Sequence, residues 1–158
     1  MQITLSWTRL VNSPDNDPAE AVGRGEVWQA MLHKAEEPVS YVPAITASTI
    51  EERYEVGYLR RAERGERVLV QRVTPDEQAG RITFTSDNTT DFAEIVNQLG
   101  ETPAGELTLT LLLTLTEEAS ERATREPEYL ADITSDFTET ADAMTARLRV
   151  TAGETAAQ

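Results

Sequence analysis

No cysteine occurs among the 158 residues, so no disulfide, thiolate nucleophile or thiolate metal site can be built. Histidine occurs once, at His33, which rules out a multi-histidine metal site and leaves one candidate for any histidine-based triad within the chain. Lysine also occurs once, at Lys34, so the other thirteen of the 14 basic residues are arginines. No run reaches the ~18 apolar residues of a membrane span. The opening MQITLSWTRLV has neither the basic nor the unbroken apolar part of a secretory signal, so a soluble, cytoplasmic protein with no membrane partner is expected. Bases are scarce overall: 28 acids against 14 bases give a formal charge of −14, which repels a phosphate backbone and argues against nucleic acid as a partner. Adaptation to salt is one reading of that balance. Neither a glycine-rich phosphate loop nor a G-x-S-x-G elbow is present.

What is present is patterned hydrophobicity. In residues 126–150, at ~100° per residue, Leu130, Ile133, Phe137, Ala141, Met144 and Leu148 fall within an arc of roughly 80°. Asp132, Ser135, Asp136, Glu139, Asp142 and Ala146 take the other side, which predicts a long one-faced helix. Pro127 suits its first turn and Gly153 would lie just past its end. Residues 106–117 alternate Leu107, Leu109, Leu111, Leu113 and Leu115 with mainly threonine, a strand pattern broken only at Leu112. Further strands are predicted over 2–11, 45–55, 58–63, 67–74, 81–86 and 92–99. A helix is predicted over 26–36, ended by Pro38, followed by a turn or small second helix at 41–43. Short connections rich in Gly, Pro, Asp and Asn favour antiparallel neighbours. The fold class expected is α+β: a curved antiparallel sheet of about seven strands around a long C-terminal helix. With no low-complexity linker, one domain over residues 1–153 is expected, with a frayed tail at 154–158.

The stretch VNSPDNDPAEAVGRGEVWQAMLHKAEEPVSYVPAI carries Val27-Trp28 at the opening of its helix. Lys34-Ala35-Glu36 and Pro38 close that helix, and Tyr41-Val42-Pro43 follows. With Val70-Gln71-Arg72-Val73-Thr74, Gly105-Glu106-Leu107-Thr108-Leu109 and the C-terminal helix, it resembles the AtaL-like family of the SRPBCC superfamily of START and Bet v 1-like helix-grip proteins. The resemblance covers nearly the whole chain. It implies a strand, two helices, six strands and a long helix, with a cavity between sheet and helix for an apolar small molecule. The family's namesake belongs to a fungal natural-product pathway. Superfamily relatives include lipid carriers, hormone receptors, and polyketide cyclases and aromatases, so the fold leaves function open.

Candidate site residues follow from strand alternation. Arg60 and Arg72 lie within strands: inward, either would hold a carboxylate, phenolate or enolate of a ligand; outward, it pairs with surface acids at little gain. If Leu69, Gln71 and Val73 face inward, Arg72 faces out. The expected lining of the cavity is Trp7, Trp28, Tyr41, Tyr58, Arg60, Gln71, Arg72, Phe84, Tyr129, Ile133 and Phe137, a set that would serve equally as plain core. His33 points away from the Trp28, Met31, Leu32 and Ala35 stripe and reads as solvated. Asn88-Thr89-Thr90 matches a glycosylation acceptor, idle without a secretory signal. Asp15-Asn16-Asp17 lacks the glycine and distal glutamate of a calcium loop, so both stretches read as turns. The first reading is a binder or carrier of an apolar or aromatic small molecule, monomer or homodimer, with no cofactor and no metal. The alternatives are a cyclase or aromatase-like enzyme, in which Arg60 stabilises an enolate and Glu94 or Glu106 moves a proton, and a filled-core structural or partner-binding protein.

Overall fold

The computed structural model describes residues 1–88 and 91–156. The alternating stretches form seven strands: β1 (Thr4–Leu10), β2 (Ile45–Arg53), β3 (Tyr58–Arg64), β4 (Arg67–Asp76), β5 (Arg81–Ser86), β6 (Phe92–Glu101) and β7 (Leu107–Leu115). Three α-helices accompany them: α1 (Arg24–Glu36), α2 (Glu117–Arg125) and α3 (Pro127–Ala156). Single 3-10 turns stand at Pro18–Glu20 and Pro38–Ser40, each opened by its proline. The β3–β4 loop is Gly65-Glu66, with positive φ at the glycine alone, as a type II′ hairpin requires. Gly57, φ +81°, turns β2 into β3, where a Cβ would collide with the Val73 carbonyl.

The strands pair antiparallel in the order β1-β7-β6-β5-β4-β3-β2. Successive strands β1 and β2 therefore occupy opposite edges, six spacings of ~4.8 Å apart, and the connection between them must cross the sheet. The 13 residues of α1 make ~20 Å of that crossing, which carries its C-terminal turn over β3 to β6. One face of the sheet buries Ala62, Leu69, Val73, Ile82, Phe84, Leu99, Leu109, Leu111, Leu113 and Leu115. Leu112 points to the other face, opposite Ser6 and Val96.

Against the inner face lies α3, burying Ile133, Phe137, Ala141, Met144 and Leu148. Phe137 stacks on Trp7 at 5.9 Å and meets Phe92 edge-on at 5.1 Å. Two features differ from the sequence reading. A separate helix α2 precedes α3; Thr116 caps it through Ala119 N at 3.1 Å, and its buried face consists of Ala119, Ser120 and Ala123, too small to register as a hydrophobic stripe. Gly153 lies inside α3 rather than past it, and the helix continues to Ala156 with Ala152 fully buried. No described helix is long and apolar enough to cross a membrane.

Candidate functional site

On the inner face a diagonal of side chains runs across four strands beneath the end of α1. Arg60 of β3 stands opposite Gln71 of β4, Phe84 of β5 is the diagonal neighbour of Gln71, and Asn97 of β6 is the diagonal neighbour of Phe84. Two consecutive residues of α1 meet the two ends of this line. Lys34 Nζ donates to Asn97 Oδ1 at 2.8 Å. Arg60 Nη1 donates to the Ala35 carbonyl at 2.9 Å, while its Nη2 donates to Gln71 Oε1 at 2.7 Å. Both cations stand over Phe84, Lys34 Nζ 5.2 Å and Arg60 Cζ 4.8 Å from the ring centroid, so they lie within about 10 Å of each other.

These groups are sealed from water: Lys34 is 5 % exposed, Arg60 4 %, Gln71 2 % and Asn97 1 %. Burial, then repulsion from Arg60 and Arg64, brings the Lys34 ammonium down to about 7. Burial brings Arg60 down to about 10. Ala35 is among the last carbonyls of α1, where the helix dipole is negative, and this offsets part of the Arg60 charge. Among the described residues no carboxylate bonds to Lys34 or Arg60. Arg64, four residues along β3, differs: it binds Asp136 through Nη2 at 3.0 Å and Nε at 3.3 Å, and Thr140 at 2.7 Å. Two buried donors near the diagonal have no partner, Arg60 Nε and Asn97 Nδ2. A side chain titrating near neutrality beside a guanidinium can move a proton to or from a bound molecule and steady the negative charge that results.

The predicted lining divides into separate groups. Tyr58, Arg60, Gln71 and Phe84 gather under α1. Ile133 and Phe137 are on the buried face of α3 and Trp7 lies beneath it, with Trp7 Nε1 donating to Thr138 Oγ1 at 2.9 Å. Trp28 is buried in α1, Tyr41 is tied by its hydroxyl to His33 Nδ1 at 2.6 Å, and Tyr129 donates to Asp91 at 2.6 Å near the α2–α3 junction. His33 is half exposed, its Nε2 2.6 Å from Glu37. Arg72 faces out: Gln71 and Val73 take the inner face, so the residue between them stacks over Tyr54 at 4.5 Å on the outside. Glu94 is outside as well, because a bulge between Phe92 and Glu94 turns it to the face shared by Thr85 and Thr114; Glu106 is exposed in the turn before β7. Neither acid therefore partners Arg60. The Asn88 motif runs into Thr89 and Thr90, which lie outside the described residues.

Lys34 and Asn97 are the members that sequence reasoning missed. Lys34 comes seven residues after Val27 and three after Met31, so it belongs to the buried stripe of α1 by spacing alone. A cleft of about 470 Å³ opens to solvent beside this layer, with Ala35, Tyr58, Val73 and Ile82 among its lining. Its rim holds Arg53, which pairs with Glu36 at 3.1 Å and stands 5.6 Å over the Tyr58 ring.

The profile of the family described as "AtaL: Acetylaranotin biosynthesis cluster protein L" matches residues 5–153. No curated protein matches by sequence. Among solved structures the fold is similar to the Zhui aromatase/cyclase from Streptomyces sp. R1128, at TM-score 0.69 and 13% identity over 94% of each chain. It is similar to Ara h 8.0201 at TM-score 0.62 and 15% identity, over 94% of this chain and 98% of that one. A Thermobifida fusca protein solved by solution NMR matches at TM-score 0.59 and 17% identity, over 93% of this chain and 92% of that one.

Proposed function

Because the chain belongs to the family of acetylaranotin biosynthesis cluster protein L and has the α+β helix-grip fold, we propose that it binds an apolar or aromatic small molecule between its sheet and its helices. The observation that carries this reading is the polar layer beneath α1. A core packed only for stability uses its donors, since each one left idle costs about 1–3 kcal/mol. Here Arg60 Nε and Asn97 Nδ2 are idle in a buried layer where the Arg60 guanidinium stands over Phe84, next to a cleft that Ala35 and Tyr58 line. Apolar walls with a few placed polar groups are what a small-molecule site requires.

Native mass spectrometry of protein purified from its own host tests this, with a retained small molecule, released on denaturation, as the expected result. An environment-sensitive apolar dye should bind the native protein at one site in the micromolar range, about −8 kcal/mol. A protein that retains nothing and binds no dye has a filled core, and the structural reading then replaces this one. Turnover of the guest is a second reading, favoured by Lys34 alone: with Glu94 and Glu106 outside, proton transfer beside Arg60 would fall to its amine.

A further inference from the structure

Resting on that binding reading, we infer that the guest carries an acidic group, a carboxylate or the ionised hydroxyl of a phenol or enol, and that Arg60 and Lys34 hold this group between them beside Phe84. The argument is one of uncompensated charge. Three cationic side chains, Lys34, Arg60 and Arg64, are buried against the inner face of a chain that carries twice as many acids as bases. Arg64 has its carboxylate, Asp136, held by two hydrogen bonds. Among the described residues Arg60 and Lys34 have only the oxygens of Ala35, Gln71 and Asn97 and the face of Phe84, which are partial charges. Buried charge without a counter-charge is costly, and an anion arriving with the ligand supplies what the chain withholds.

The hydrogen-bond inventory agrees. Arg60 Nε and Asn97 Nδ2 are idle, and Lys34 spends one N–H on Asn97 and keeps two more when protonated. A carboxylate offers about four lone-pair sites for such donors. A neutral hydroxyl or carbonyl would occupy a donor yet leave both charges uncompensated, and an amine would add a third.

Proton linkage makes the inference measurable. The charged groups acting on Lys34 are Arg60 and Arg64 from β3, and Asp136 of α3 faces Arg64; from β4, β5 and β6 the neighbours are the uncharged Gln71, Phe84 and Asn97. Tyr58, held up at about 12, stays neutral. Burial and the two guanidiniums bring Lys34 to about 7, and an anion beside it opposes that repulsion, so binding draws a proton onto Lys34.

The probes are 2-naphthoate and 2-naphthylmethanol, which share a ring system and differ in charge. The naphthoate should bind at least tenfold more tightly than the alcohol at pH 7 and weaken about tenfold by pH 8.5, where Lys34 is mostly neutral. Lys34→Met should cost the naphthoate about tenfold, more than it costs the alcohol, and remove the naphthoate's pH dependence. Calorimetry of the unmodified protein in two buffers of different ionisation heat should show uptake of up to about half a proton at pH 7, a measurement that stands even if the variant does not fold. Equal binding of the two probes, or naphthoate binding without proton uptake, overturns the acidic-group inference and leaves the binding reading intact. Failure of both probes removes the binding reading and this inference with it.

Discussion

A single side chain, Lys34, ties the sequence of α1 to the pH dependence of the whole fold. Its ammonium titrates at about 7 in the folded chain and at 10.5 when unfolded. Between those values the unfolded chain holds a proton that the folded one has lost, so stability rises with pH across that window. Below 7 both states are protonated and the full burden of a buried charge is present. Above about pH 10 Tyr58 and Tyr129, held up at about 12, oppose this trend by keeping protons that the unfolded chain gives away, while Arg60, brought down to about 10, works in its favour. Relative to Lys34→Met, the native chain should therefore gain on the order of 3 kcal/mol between pH 7 and pH 9.5. Denaturant titrations at each pH read this directly, and parallel curves for the two proteins would place the Lys34 amine in water. Legibility at this scale was uneven. Arg60 and Arg72 could be placed only once a neighbouring strand's inner face was known, and the Leu69, Gln71, Val73 alternation decides Arg72 correctly. Lys34 was hidden because charge argues for the surface, while its spacing from Val27 and Met31 argues for the core.

At the scale of elements, periodicity was a reliable guide wherever the buried face carries large side chains. All seven strands were legible, β5 to the residue: alternating Leu, Val, Ile and Phe mark one face of strands such as β5 and β7, and turn residues bound β2 and β3, whose faces carry no such pattern. The face of α2 consists of alanine and serine, and it was missed for that reason. Glu94 was misjudged because a bulge is a local break in the period on which such reading depends: it lets Phe92 face in and Glu94 face out two residues later. Gly153 signals a helix end locally, yet α3 runs through it, with the neighbouring Ala152 fully buried. The apolar stripe of α3 supports a quantitative test. Phe137 is 1 % exposed, enclosed by Trp7, Phe92 and the Arg64 guanidinium 4.4 Å from its ring centroid. Phe137→Ala should cost about 3 to 5 kcal/mol, since it removes ring contacts and leaves a void that a sheet on one side and a helix on the other cannot close. A loss under about 1 kcal/mol in chemical denaturation would mean that α3 does not grip the sheet through this residue.

For the molecule as a whole, the inward placement of three cations makes the outside more acidic than the composition suggests. With Lys34, Arg60 and Arg64 buried, and no Asp or Glu buried among the described residues, 28 acids face eleven bases over the remaining surface. Some of these pair, as Arg9 does with Asp142 at 2.6 Å and Arg122 with Glu126 at 3.0 Å, but exposed pairs contribute about 0–1 kcal/mol each and salt weakens them. The unpaired excess acts the other way: its repulsion opposes compaction and is relieved as the screening length falls from about 30 Å at 0.01 M salt to about 8 Å at 0.15 M. Since the excess outnumbers the pairs, relief of repulsion should dominate, and the melting temperature should rise over that range. The same shell opposes the approach of an anionic guest, so naphthoate should associate faster as salt is added, while the alcohol's rate stays level. A melting temperature that is flat or falls between 0.01 M and 0.15 M salt would show that the surface pairs outweigh the net charge, and the acidic shell would then have no part in the energetics of this fold.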